Sequence, residues 1–286
     1  MQLSIIKIGG NIIDDESRLA GFLDAFAAVP GKKILVHGGG KLATRIAEGL
    51  GIKQQLIDGR RITDAETLNV VTMVYAGAIN KNIVAQLQSR HCPAIGLTGA
   101  DGNAIISHKR AHLPSEPAAP TNPGTGLQTS PSPNPGALPR IDYGFVGDVD
   151  SVNTPLLTSL LLLDQVLVFA PLTHDGKGQL LNTNADTIAQ ELARALSSTF
   201  EVTLIYSFEK AGVLRDPGDE TSVIPCITPA AYEDLKSRNI IFAGMIPKID
   251  NAFTALRTGV KKVIIGKAEH LPRLLTGESG TTLLHE

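Results

Sequence analysis

The sequence predicts an α/β fold, an open and mostly parallel sheet sandwiched by helices. Three observations predict it. Short apolar runs alternate with helical periodicity along all 286 residues, as when strands are joined by crossover helices. The runs are nearly continuous in Val, Ile and Leu, the pattern of strands covered on both faces. Two of them stop at consecutive glycines and pass into a helical pattern, and ligands bind such sheets at the carboxyl ends of their strands.

The first run is Ile5-Ile6-Lys7-Ile8, ending at Gly9-Gly10. An ammonium inside a covered strand is costly unless paired, so Lys7 faces either a ligand or, on an edge strand, solvent. Residues 14–29 read as a helix with Leu19, Phe22, Leu23 and Phe26 inward. Ile34-Leu35-Val36 then runs through His37 into Gly38-Gly39-Gly40, and Leu42, Ile46 and Leu50 mark the next helix. Glycine N–H groups at a helix N-terminus favour an anion; a tight connection that binds nothing is the plainer alternative.

Gln54–Ile57 and Arg60–Ile62 flank Asp58-Gly59, a hairpin signal. An alternating strand sends Arg60 and Arg61 to opposite faces, so one could grip a carboxylate while the other is solvated. Thr63-x-x-Glu66 has capping-box spacing and opens a helix to about residue 90, with Gly77 inside it at about 1 kcal/mol against Ala. Gly77 therefore suggests close packing, with another subunit as one candidate partner. Residues 94–97 read as a strand, and Ile105-Ile106 opens a hairpin whose expected return strand is Tyr143–Val146. Between them, residues 113–140 hold eight of the 17 prolines. That stretch reads as a disordered insertion, with a proline-rich recognition segment as the sharper alternative.

Residues 154–163 predict a helix and 165–169 a buried strand. A turn at 174–178 returns through Leu181-Asn182 to Asn184, which can cap a helix over 185–196 with Asp186 in its first turn. A strand at 202–206 follows. Pro247 lies near the first turn of a helix ending near Arg257, which puts Lys248 at another positive helix end. Strands at 261–265 and 281–284 close the chain. Cations gathered at one place suit an arriving anion.

Composition narrows the ligand. With 26 basic and 28 acidic residues the net charge is −2, and no basic block invites nucleic acid or a membrane surface. Small-molecule substrates are expected. The two cysteines, Cys92 and Cys226, have neither metal-ligand nor disulfide spacing, so no protein-bound metal is expected and a reducing cytoplasm fits. No signal-peptide pattern opens the chain. Gly38-Gly-Gly-Lys41 is not a Walker A sequence. Gly38-x-Gly40-x-x-Ala43 is a weak dinucleotide match that would leave Lys7, Asn182, Asp186 and Lys248 without roles.

Taken in order, Ile6-Lys7-Ile8-Gly9-Gly10, His37-Gly-Gly-Gly40, Gly59-Arg-Arg-Ile-Thr63, Asn182-Thr-Asn-Ala-Asp186, Gly244-Met-Ile-Pro-Lys248 and Gly280-Thr-Thr282 resemble the motifs of the amino acid kinase family. The resemblance runs from Ile5 to Leu284 and lapses over the proline-rich insertion. It implies ATP-dependent phosphorylation of the side-chain carboxylate of N-acetyl-L-glutamate, a step of arginine biosynthesis. N-succinyl-L-glutamate is the alternative acceptor, and a silent nucleotide-binding regulatory subunit is the alternative from another class.

On the same resemblance, residues 1–170 form an acyl-amino-acid-binding and dimerisation lobe, and 171–286 a lobe for ATP, with Mg2+ carried on the nucleotide. Lys7 and Lys248 would stabilise the transferred phosphoryl group, and Asp186 would orient them. Gly39 and Gly40 would cradle the reacting end, Arg61 would hold the α-carboxylate, and Asn182 would bind the acyl-amino-acid. Gly9, Gly10, Ser207, Glu209, Gly212 and Leu214 would meet the nucleotide. The family usually has Ser or Thr followed by Asp-Val in the nucleotide loop, whereas this chain reads Ser207-Phe-Glu-Lys-Ala-Gly212. Only four residues precede Ile5, too few for the N-terminal helix of arginine-sensitive relatives, so a plain homodimer without arginine inhibition is expected.

Overall fold

The computed structural model describes residues 1–57, 60–111, 113–114, 129–130, 140–216, 218–241 and 245–285. Most of the proline-rich insertion, the Asp58-Gly59 turn and Gly244 lie outside them. At the insertion's edges, Leu113–Pro114, Arg140–Ile141 and Thr129–Ser130 form a small three-stranded sheet.

Eight strands make the main sheet, in the spatial order 226–227, 281–283, 262–267, 201–208, 2–8, 32–37, 166–169 and 94–97. Neighbours run parallel except Lys262–Lys267 against Thr281–Leu283. The chain leaves Gln2–Ile8 toward Lys32–His37 on one side and later returns to place Glu201–Phe208 on the other. The order thus reverses at the first strand, and open α/β sheets form their ligand crevice beyond the carboxyl ends at such a point.

Period-2 alternation splits the apolar residues between two cores. Leu3 and Ile5 belong to the layer of Ile188, Leu192, Leu196 and Phe253. Ile6 and Ile8 belong to that of Phe22, Phe26, Ile83 and Leu271. Lys7 has the parity of Leu3 and Ile5, so it faces the layer that contains the helix Ala185–Leu196. Lys33 is buried in the other layer, where carbonyls rather than a carboxylate meet it among the described residues. Its Nζ donates to the carbonyls of Phe26 (3.1 Å), Ala27 (2.7 Å) and Val29 (2.8 Å) at the end of the helix Glu16–Ala27. A cation there satisfies orphan carbonyls and complements the helix dipole.

A second sheet of four strands, Gly147–Val152, Ile105–Lys109, Leu172–His174 and Leu180–Asn182, lies at the side of the main one. It corrects one expectation. The strand antiparallel to Ile105–Lys109 is Gly147–Val152, not Tyr143–Val146. The latter stretch makes only isolated bridges, from Gly144 to Thr63 and from Val146 to Asn182.

The helix after the hairpin also differs from expectation. Its cap is Asp64, whose side chain accepts from Thr67 N at 2.8 Å, so Thr63 is left free to serve the site. The helix starts as Ala65–Val71, widens to a π-helix over Thr72–Ile79 and resumes as Asn80–Gln88. Gly77 is exposed, with open space where a Cβ would stand; within this chain it makes no close approach. The helices Pro229–Ser237 and Leu271–Thr276 and the strand Cys226–Ile227 were not foreseen.

Candidate functional site

Lys7 stands at the carboxyl end of its strand with its side chain 12% exposed, and its Nζ is 2.8 Å from Asp186 Oδ1. Asp186 is fixed there by its helix. Asn184 accepts from the N–H groups of Asp186 (2.7 Å) and Thr187 (3.3 Å), so the helix begins where expected and its first turn points at the strand end. An acid in that turn also complements the helix dipole. Lys248 sits in the first turn of Ile246–Arg257, a helix whose N-cap residue offers no side-chain cap. Burial holds its ammonium below the usual lysine range; Asp186 opposes that shift and Lys7 adds to it. The two lysines and the aspartate therefore share one electrostatic neighbourhood.

Beside them, a cavity of about 180 Å³ is lined by Gly38, Gly39, Gly40, Arg61, Asn182 and Asn184, together with Tyr75, Arg110 and their neighbours. Two arginines and no acid contribute to its described walls. Gly39 is a position only glycine suits: its φ is +152°, and a Cβ would collide with Ile79 Cδ1 and stand 3.1 Å from Tyr75 Cδ1. The helix Gly40–Gly49 that follows has no side-chain cap, so its first N–H groups have no side-chain acceptor at that cap.

Arg61 is buried, and the side-chain partners that hold it are neutral. Its Nη2 donates to Gly40 O at 2.9 Å and Thr44 Oγ1 at 2.8 Å, and Nη1 donates to Gln54 Oε1. Tyr75 is tied to the same guanidinium; burial raises the phenol's pKa and Arg61 pulls it back. The positive charge is thus positioned without being neutralised by these partners. Asn182 Nδ2 donates to Thr63 Oγ1 at 3.0 Å, and Thr63 Oγ1 donates to Arg61 O at 3.1 Å, which links the two walls.

Beneath the glycines, His37 is fully buried. Its Nδ1 lies 2.8 Å from Gly38 O, and Asn80 Nδ2 lies 3.2 Å from its Nε2. Asn80 Nδ2 also donates to Val168 O at 2.9 Å. An amide that donates to Nε2 fixes the proton on Nδ1, where Gly38 O receives it. Burial lowers the His37 pKa to about 4, against a smaller opposing contribution from the Gly38 bond, so the ring stays neutral under the loop.

The residues expected to meet the nucleotide are less gathered. Gly9 precedes a four-residue helix, Gly10–Ile13, and a Cβ on it would stand 3.8 Å from Ser207 O. The two strand ends are therefore adjacent. Ser207 is buried and its Oγ has no hydrogen-bond partner among the described residues. Gly212 is tight, since a Cβ would stand 2.8 Å from Thr281 Oγ1 and Val223. Glu209 is exposed, and Leu214 is bridged to Val223; neither lines the cavity. Among the described residues, no group of three His, Cys, Asp or Glu could hold a metal, and no helix is long and apolar enough to cross a membrane.

Thr44, Gln54, Tyr75, Asn80 and Arg110 escaped sequence reasoning. Their positions follow from tertiary meetings that no local spacing signals.

An αβα sandwich with lysines and arginines around its switch-point crevice defines a class of fold suited to anionic ligands. The model of the amino acid kinase family matches residues 2–267, and the chain belongs to that family. It is 55% identical over 274 residues to an acetylglutamate kinase of Cytophaga hutchinsonii, covering 96% of this chain and 94% of the relative. It is 52% identical to one of Phocaeicola vulgatus, covering 92% and 93%. An acetylglutamate kinase of Methanopyrus kandleri is 35% identical, over 94% and 96%. Two solved structures share the fold. The N-acetylglutamate synthase of Neisseria gonorrhoeae, complexed with coenzyme A and N-acetyl-glutamate, has a TM-score of 0.75 at 18% identity, over 99% of this chain and 59% of that one. The carbamate kinase of Giardia lamblia bound to AMP-PNP has a TM-score of 0.60 at 13% identity, over 100% and 98%.

Proposed function

We propose that this kinase transfers the γ-phosphoryl group of ATP to the side-chain carboxylate of N-acetyl-L-glutamate, giving N-acetyl-L-glutamyl 5-phosphate for arginine biosynthesis in the cytoplasm. The observation that carries the reading is the Lys7–Asp186–Lys248 group set against a cavity with two arginines and no described acid. The names of the relatives above support the same acceptor.

The chemistry asks little beyond placement. The nucleophile is a carboxylate with a reference pKa of about 4.3, already ionised at neutral pH, so no general base is needed. The barrier lies in bringing two anions together and in the charge on the group in transit. Lys7 and Lys248 neutralise that charge, one from a strand end and one from a helix N-terminus, and Asp186 holds the two ammonium groups apart and aligned. Arg61 takes the α-carboxylate, since its neutral partners leave its charge for the substrate. Gly39 and Gly40 present backbone N–H groups to the reacting end, and Asn182 binds the acyl amide.

ATP enters over Gly9, Gly10 and the Ser207–Leu214 segment, with Mg2+ as part of the nucleotide substrate. We place the acceptor lobe in residues 1–170 and the nucleotide lobe in 171–286, with the strands Leu172–His174 and Leu180–Asn182 reaching back into the first. We also infer a homodimer built on the π-helical segment, where Met73 (58% exposed) and Gly77 offer a small, apolar, open face. Light scattering at the dimer mass supports that assembly; a monomer at assay concentration removes it. The function is tested by incubating the protein with MgATP, N-acetyl-L-glutamate and hydroxylamine. The expected product is the 5-hydroxamate with equimolar ADP, and its absence would sink the reading.

A further inference from the structure

Asn80 is buried and does not line the acceptor cavity, yet it touches three consecutive strands of the main sheet. Its Nδ2 lies 3.2 Å from His37 Nε2 at the end of Lys32–His37 and 2.9 Å from Val168 O on Val166–Phe169. Its Oδ1 rests on Gly96 of Ala94–Leu97, where any Cβ would collide with it. The amide can point only one way. Val168 O takes a donor, and Lys81 Nζ, 3.3 Å from Oδ1, takes an acceptor. One Nδ2 hydrogen then goes to the Val168 carbonyl and the other to the ring nitrogen. A neutral imidazole so met carries its proton on Nδ1, where Gly38 O receives it at 2.8 Å.

The consequence runs through one peptide plane. Gly38 O and the Gly39 N–H belong to the same planar trans unit and point in opposite directions. Drawing the carbonyl to the buried ring therefore turns the Gly39 N–H away from it, on the side of the cavity that the three glycines line. The Gly38 N–H donates to Ile8 O at 3.3 Å, which sets the loop against the strand that carries Lys7. With the proton on Nε2 instead, a bare Nδ1 would face the Gly38 oxygen. Two lone pairs repel, and rotating the peptide to relieve them would aim a carbonyl at an incoming anion.

We propose that Asn80 is a positioning residue for phosphoryl transfer: by donating to Nε2 it holds the His37 proton on Nδ1, and through Gly38 O it aims the Gly39 N–H at the carboxylate to be phosphorylated. This rests on the kinase reading and adds to it a residue that touches no substrate. The charge nearest the pair is Lys81, whose Nζ also donates to Gly96 O at 3.1 Å. On the crevice side Tyr75 flanks Gly39 and Arg61 bonds to Gly40 O. No charged group is among the causes of the His37 shift.

The first measurement needs only the wild-type full chain with nitrogen-15-labelled histidine. Of the seven histidines, the one whose signals vanish in His37→Gln should have Nδ1 protonated and Nε2 bare at neutral pH. The opposite tautomer overturns the proposal.

The second follows acceptor-dependent ADP release from MgATP and N-acetyl-L-glutamate in Asn80→Asp, which exchanges the donor for an acceptor at constant shape. The new carboxyl and His37 titrate as a pair. While the pair keeps its extra proton, Nδ1–H still reaches Gly38 O. Once that proton leaves, the remaining one is drawn to the carboxylate through Nε2 and the Gly38 bond is lost. Relative to the wild type, kcat should therefore fall roughly tenfold or more as pH rises from about 6 to about 9, the scale of losing a preorganised donor, while KM for ATP stays within threefold. A kcat that tracks the wild type over that range overturns the proposal, whatever the melting temperature does.

Should Asn80→Asp fail to fold, position 37 carries the same test. His37→Asn puts an amide N–H where Nδ1 stands, and His37→Gln puts one where Nε2 stands. The first should exceed the second in kcat by roughly tenfold; equal values or the reverse order overturn the proposal. No ADP release from the wild type takes down the kinase reading and the role of Asn80 together, whereas the failures above remove Asn80 alone.

Discussion

The two ends of the crevice are built by different means. On the proposed acceptor side, Arg61, Thr63, Asn182, Tyr75 and Thr44 are joined by side-chain hydrogen bonds, and Gly39 is wedged against Ile79 and Tyr75. On the side proposed for the nucleotide, the described parts are backbone, close-packed glycine and a buried Ser207 hydroxyl without a partner among the described residues. A surface that must choose one small carboxylic acid is held rigid by side chains, because discrimination needs donors fixed in advance. A surface for a large common nucleotide can rely on main chain, which any sequence supplies. Family likeness should therefore be sharper at Arg61 than at residues 207–214, and the motif departure at Ser207-Phe-Glu lies on the backbone side.

Substitutions at the junction and along the acceptor wall should break this contrast unequally. Lys248→Met removes a cation that both ends share, and kcat should fall at least ~100-fold, the scale of losing one preorganised donor, with melting temperature little changed. Activity within threefold of wild type would take Lys248 out of the mechanism. Gly39→Ala forces a side chain into a φ of +152° and against Ile79. Strain of that kind costs of the order of 1–3 kcal/mol. Thermal unfolding should shift down and KM for the acceptor should rise, with KM for ATP nearly constant; a parallel rise in both would mean the glycine loop serves the nucleotide too.

Arg61→Lys keeps the charge but loses the fork that reaches Gly40, Thr44 and Gln54 together. KM for the acceptor should rise about tenfold (about 1.4 kcal/mol), more than that for ATP, and equal effects would contradict the division of labour. The smallest effect is a proton's. The unfolded His37 ring binds a proton below about 6.5, while the native ring resists until about 4. The folded protein therefore binds fewer protons in that window and loses stability as pH falls through it, by about 1 kcal/mol between pH 7 and 5.5. The melting temperature of the wild type should fall relative to that of His37→Gln as the pH drops over that range. A constant offset would show that the histidine is not neutral beneath the loop.

Much of this was legible in the residues because single positions carried contradictions. A lysine in an apolar strand, three glycines where one would turn the chain, and two amides beside an acid each demanded a partner. Lys7, Gly39, Asn182 and Asp186 were singled out that way, and the structure sets Lys7 against Asp186 and brings Gly39 and Asn182 to one cavity. The helix at 185–196 was foreseen to the residue because Asn184 caps it. Where several residues could do one job, the reading slipped: Asp64 rather than Thr63 caps the long helix.

Tyr143–Val146 looks like a strand by alternation. Gly144, at a φ of +71° and packed against the Thr63 carbonyl, turns it into a connector instead. The true pairing segment, Gly147–Val152, carries Asp148 and Asp150 and hides its strand character under charge. Arg110 had no signal at all, since its setting comes from Asp148 and Tyr143 meeting around it.

The π-helical stretch at Thr72–Ile79 has a consequence for how the chain can change over generations. Relative to an α-helix, a wider turn takes in extra residue length, and each residue advances a helix by about 100°. Tyr75 beside Arg61, Ile79 under Gly39 and Asn80 on His37 all hang on that phase. Removing one residue from the stretch would swing everything after it away from the cavity, although every side chain named would still be present. Substitution here can be gradual, but length cannot: this segment should accept new letters far more readily than a missing or an added one.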